Sequence, residues 1–148
     1  MKNFHNHRCV FCAIASREVE AGIVHEDDGI VAFLDVHPIR PGHIQIIPRE
    51  HYRWFDELPP ELASHILLTG QRLARILKEI YEVERVGFLF TGGDVPHAHA
   101  HLVPLVAKDD ITSRRYIVEQ KVTYRDTPLI PNEELQQTAK RLRAQLQT

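Results

Sequence analysis

A chain of 148 residues, 43% apolar and 26% charged, is long enough to bury a core without disulfide support, and it is read as one domain spanning 1–148. Its 18 Lys and Arg against 20 Asp and Glu lack the basic excess that binding a phosphate backbone requires, so no nucleic-acid partner is expected. No run approaches the roughly 18 apolar residues of a membrane span, and Met1 to Arg8 is polar rather than charged and then apolar, so a cytoplasmic protein away from membranes is expected.

In chain order, the first signal is the pair Cys9 and Cys12. In a reducing compartment a Cys-x-x-Cys pair is more often a metal or redox site than a structural disulfide. A thioredoxin-type pair follows a strand and opens a helix, whereas this one precedes the first strand signal. Metal binding and two reduced thiols in an apolar cluster both remain open. Next, Gly22 to Glu26 and Ile30 to Asp35 are apolar or β-branched runs separated by Asp27-Asp28-Gly29, a hairpin signal. His37-Pro38 and Pro41-Gly42 force a turn before a third strand, His43 to Ile47.

From Pro60 to Glu82, Leu62, Ile66, Leu73, Ile76, Leu77 and Ile80 recur with the period of one helical face. Pro59-Pro60 and Glu61 suit its start, and the interior Gly70 weakens it. Val86 to Phe90 reads as a strand, Gly92-Gly93 as a turn, and His97 to Val103 as a strand paired with it. Tyr116 to Val118 and Lys121 to Tyr124 have strand-like composition. Asn132 can cap a final helix with Leu135, Ala139, Leu142 and Leu146 on one stripe. Strands and helices without a regular βαβ alternation predict an α+β domain.

The stretch His97-Ala98-His99-Ala100-His101 carries the most chemistry. In an extended strand the three imidazoles project to one face, and burying three together costs desolvation unless each finds a partner. Two chemistries suit them. One is a catalytic metal, although such sites usually draw ligands from separated positions. The other is covalent catalysis, in which an imidazole nitrogen attacks phosphorus while a neighbour fixes its tautomer and other donors stabilise the phosphoryl oxygens.

Six ordered blocks resemble the histidine triad family over roughly residues 9 to 105, leaving a C-terminal extension. They are Cys9 to Cys12, Val24 to Asp28, Ala32 to Asp35, Pro41 to His43, Ile47 to His51 and His97 to Pro104. The resemblance implies an antiparallel sheet of about five strands with a long helix, paired in a homodimer and binding a purine nucleotide. His99 matches the family's nucleophile, His97 and His101 its flanking histidines, and His43 a fourth histidine bonded within the triad. Phe11, Ile14, Phe33 and Leu34 fall where the family lines its base pocket, with simple core as the alternative. Asp35 falls where a carboxylate accepts both ribose hydroxyls, or else it caps a turn.

Some bacterial-type members resemble this chain in using residues that match Cys9, Cys12, His51 and His97 as a structural zinc site; His5 and His7 are rival ligands. The sequence departs from the family at Gly93 and Asp94, which stand where glutamine and a hydroxyl residue touch phosphate. An inward Asp94 would repel a phosphate, whereas the glycines leave backbone N–H groups free to face one. The implied activity is hydrolysis or transfer at a nucleoside 5′-phosphate, on phosphoramidate or dinucleoside polyphosphate substrates. The alternative is a nucleotide-sensing or interaction module without efficient chemistry.

Overall fold

The computed structural model describes residues 9–108, 110–111, 120–121 and 127–147. The strand-like stretches at 116–118 and 122–124, and His5 and His7, lie outside these residues. Helix α1 is Val10–Ala15, followed by strands β1 (Ile23–Glu26), β2 (Ile30–Leu34) and β3 (Ile44–Pro48). The long helix α2 is Pro60–Tyr81, strands β4 and β5 are Arg85–Phe90 and Ala100–Leu105, and helix α3 is Asn132–Leu146.

All strand pairs are antiparallel, in one five-stranded sheet of order β1-β2-β3-β5-β4. The expected hairpin forms, but Asp27 closes it. Its Oδ1 accepts the N–H groups of Gly29 (2.9 Å) and Ile30 (3.0 Å), leaving Gly29 without the positive φ of a tight Asp-Gly turn. Helix α1 was not expected, because its six residues are too few to show a helical period. Pro131 stands at the N-cap position of α3 with no side-chain cap, and Asn132 is the first helical residue rather than the cap.

Alternation along the strands divides the core by sheet face. Ile30, Ala32, Leu34, Ile44, Ile46, Ala100 and Leu102 pack against α2 and α3. On the opposite face α1 lays Phe11, Ile14 and Ala15 over Ile23, Val31, Phe33 and Ile47. Gly70 is explained by the first face, since a Cβ there would stand 2.8 Å from the Phe88 ring, so glycine lets α2 lie close on β4.

Gly42 sets the turn into β3, just ahead of His43. Its φ is +87°, and a Cβ would overlap the Tyr81 ring. Gly42→Ala is therefore expected to destabilise by about 2–4 kcal/mol, combining left-handed strain with overpacking. Urea denaturation of the variant measures this directly.

Candidate active site and metal centre

The three histidines of the 97–101 stretch lie on the α1 face of the sheet, opposite Ala98, Ala100 and Leu102, which pack in the main core. Strand β5 begins only at Ala100, so His97 and His99 lie on the segment leading into it. There the chain bends at Pro96-His97, and Ala98 N–H donates to Tyr52 O (2.7 Å) rather than to a strand neighbour. Alternation nevertheless carries back to His97, although the regular strand starts only at Ala100. His99 and His101 remain adjacent, with ring centroids 4.8 Å apart. His97 lies at the cysteine end of the row, its ring 4.9 Å from His51 and edge-on to Phe11 at 5.9 Å.

Partners that can only donate or only accept assign a tautomer to each neutral ring. The Ile39 N–H donates to His43 Nδ1 (3.1 Å), so His43 carries its proton on Nε2 and donates it to His101 Nδ1 (2.9 Å). The proton of His101 is then on Nε2. His99 Nδ1 donates to the His97 carbonyl at 2.6 Å, which leaves the lone pair of His99 on Nε2. His97 Nε2 donates to the Pro48 carbonyl (2.9 Å), leaving its own lone pair on Nδ1.

Burial keeps His43, His97 and His101 neutral. It lowers the pKa of His43 against the opposing pull of the Asp35 carboxylate, whose Oδ2 is 3.7 Å from His43 Nε2. His101 is lowered from 6.5 to about 4, chiefly by burial and then by His43 and His99. His97 is likewise lowered to about 4 by burial, with His51 and His99 adding and its bond to Pro48 opposing.

As the pH falls, the unfolded chain takes up a proton at position 101 near 6.5, but the folded chain takes one up only near 4. The contribution of His101 to stability is therefore complete above about pH 6.5 and is lost progressively toward pH 4, a loss of about 2 kcal/mol after allowance for partial exposure. Urea titrations at pH 7 and pH 4.5 should show a smaller acid loss in His101→Gln than in wild type.

His97 joins the triad to the cysteines. Its Nδ1 lies 3.4 Å from both Cys9 Sγ and Cys12 Sγ, and His51 Nδ1 lies 3.3 Å from Cys12 Sγ. The four ligand atoms all fall within 4.8 Å of one another. Tetrahedral zinc with ordinary Zn–S and Zn–N lengths separates sulfur from nitrogen by about 3.5 Å, so the set matches a Cys₂His₂ site. The pair does open a helix, with Cys9 as its cap accepting the Cys12 N–H at 3.5 Å, although no strand leads into it among the described residues. Burial pushes the Cys12 thiol up to about 12, and hydrogen bonding and charge from Cys9 add to this.

Asp35 stands beside the histidines. Its Oδ1 accepts the His37 N–H (2.7 Å), as a turn cap would, and its Oδ2 accepts Gln45 Nε2 (2.6 Å). Phe11, Ile14 and Phe33 share one cluster, and Phe11 meets Phe33 at 5.6 Å and His99 at 5.0 Å. Leu34 is not brought to them. As the next residue along β2 it points to the opposite face and packs in the main core, 3% exposed. Gly92, with φ +68°, and the exposed Gly93 and Asp94 form the loop beside the site, and the charge of Asp94 reaches His101. Gln45 was missed in the sequence, where its only signal is a polar residue within an apolar strand. A groove of about 860 Å³ along β1, lined by residues that include Arg17, His25, Arg72 and Arg143, shares no residue with this site.

The five-stranded antiparallel sheet, the long helix and the linked histidines define an α+β protein of the histidine triad kind. The HIT domain matches residues 16–107, and the chain belongs to the histidine triad family. It is 32% identical over 100 residues to a HIT-like protein of Methanocaldococcus jannaschii, covering 65% of this chain and 78% of that one. It is also 32% identical over 97 residues to an adenosine 5′-monophosphoramidase of Saccharomyces cerevisiae, covering 65% of this chain and 61% of the relative. Among solved structures, a zinc-bound histidine triad family protein of Mycobacterium smegmatis superposes with a TM-score of 0.74 at 28% identity, covering 97% of this chain and 96% of that one. Among the described residues no helix is long and apolar enough to cross a membrane.

Proposed function

We propose that the chain is a nucleotide hydrolase or transferase acting at a nucleoside 5′-phosphate through a nucleotidyl-His99 intermediate, on phosphoramidate or dinucleoside polyphosphate substrates. The observation that carries this reading is the 2.6 Å bond from His99 Nδ1 to the His97 carbonyl, which leaves an unprotonated Nε2 as a nucleophile. That nitrogen bonds to the α-phosphorus as the bond to the leaving group breaks, and water then cleaves the N–P bond. His101 Nε2–H donates a hydrogen bond to the reacting phosphoryl group, and His43 fixes the ring that does so. The identity with a phosphoramidase supports the substrate class.

In this reading Asp35 accepts the ribose hydroxyls, and Phe11, Ile14 and Phe33 take the purine base. Leu34 is left to the core. Cys9, Cys12, His51 and His97 would hold a structural zinc ion, which when bound ties α1 to the approach of β5. Their spacing and the zinc-bound relative support this assignment. A cytoplasmic homodimer belongs to the same reading. It is supported by β4, an outer strand among the described residues, and by Leu67 and Leu68, 47% and 59% exposed on α2.

A second reading, a nucleotide-sensing module with little turnover, is favoured by Asp94, whose charge reaches His101. Incubation with a radiolabelled adenosine 5′-phosphoramidate followed by denaturation separates the two. The enzyme is expected to retain acid-labile label on position 99, and nucleotide binding with no trapped label and no turnover would select the sensing module.

A further inference from the structure

Gln45 occupies the middle of β3, paired across the sheet with Phe33 of β2 and with His101 of β5. Its amide orientation is fixed by chemistry. Nε2 donates to Asp35 Oδ2 at 2.6 Å, and turning the amide over would set Oε1 against a carboxylate oxygen. Oε1 is then left without a hydrogen bond although the residue is only 8% exposed, the one such buried side-chain atom among the described residues. A buried acceptor without a partner costs its desolvation, and an apolar side chain would fill this strand position without that cost.

We infer that Gln45 is a sugar-discriminating residue, one that steadies the Asp35 carboxylate through Nε2 and accepts a hydrogen bond from a ribose hydroxyl through Oε1. The inference rests on the nucleotide reading above. Its support is the placement of the orphan oxygen. Neighbouring strands lie about 4.8 Å apart, so Phe33, Gln45 and His101 form a row roughly 10 Å long on one sheet face. A nucleotide whose base meets Phe33 and whose 5′-phosphate meets His99 and His101 must carry its sugar across Gln45. A vicinal diol presents two donors, and a carboxylate beside an amide carbonyl presents the acceptors that match it. Loss of one hydroxyl would leave the buried oxygen unpaired, and this kind of mismatch discriminates most strongly between closely similar ligands.

The test is isothermal titration calorimetry of the full chain with adenosine 5′-monophosphate and its 2′-deoxy and 3′-deoxy analogues. Wild type is expected to bind the ribonucleotide about tenfold more tightly than at least one deoxy analogue, the loss of roughly one good hydrogen bond. Gln45→Met matches the side chain in length but cannot donate or accept. It should weaken the ribonucleotide about tenfold and leave that deoxy analogue within about twofold, collapsing the preference. Gln45→Glu keeps an acceptor at Oε1 and should retain the preference that Gln45→Met loses. If the Met variant fails to fold, Gln45→Leu, which also fills the strand position without a polar atom, makes the same test. An unchanged preference in Gln45→Met, or equal weakening of all three ligands, overturns the role of Gln45 and leaves the nucleotide reading standing. Wild type that binds none of the three overturns both.

Discussion

His99→Asn is expected to lose turnover by about 10⁴-fold or more, equivalent to about 5–6 kcal/mol of transition-state stabilisation, while binding nucleotide within about threefold of wild type. The reason lies in what each ring nitrogen does. Nδ1 of His99 is committed to the His97 carbonyl, and an asparagine amide can replace that donor. Nothing in asparagine replaces the lone pair on Nε2, so covalent attack stops while the surroundings stay packed. His99→Ala should be equally inactive but less stable, because it also removes a ring that is 5% exposed and packed on Phe11. Single-turnover kinetics together with binding titrations separate chemistry from recognition. Near-wild-type turnover in either variant would overturn the nucleotidyl-His99 intermediate.

Protein purified without chelators should contain about one zinc per chain, and Cys12→Ser should lose the metal and melt about 10 °C lower. The cluster joins α1, the segment after β3 and the approach to β5, so a metal there crosslinks three parts of the chain that are distant in sequence. Its absence should also reach the chemistry. His97 orients His99 through its backbone carbonyl, whereas its own Nε2–H goes to Pro48. Loosening His97 should misplace the lone pair of His99 and lower kcat roughly tenfold, within the usual range for groups that orient a reactive one. Elemental analysis and thermal melts measure the first effect. A metal-free wild-type protein with the stability of Cys12→Ser would remove the zinc assignment without touching the argument for His99.

Both experiments depend on links that differ in how far they could be read from the residues alone. The hairpin, the long helix and α3 follow from patterns a few residues long, because alternation and the 3.6-residue period arise from local backbone geometry. Cys9, Cys12, Asp35 and the histidines are conspicuous because such side chains seldom gather without a partner or a purpose. Local pattern was silent on which distant groups meet. Alternation placed the three imidazoles on one face, where they lie, but could not show that His97 meets the cysteines there. Adjacent positions on β2 were grouped as one pocket, but the pleat sends Phe33 and Leu34 to opposite faces.

What the residues determined by themselves is which elements form and which side chains carry chemistry, since both depend on neighbours in sequence. Only the tertiary structure decided which nitrogen of His97 and of His101 holds the proton and which oxygen is left unpaired. The Pro48 carbonyl that sets the tautomer of His97 lies 49 residues away, and His43, which sets that of His101, lies 58 away. A proton's position is fixed by the partner it meets, and these partners meet only when β3 and β5 lie side by side in the sheet.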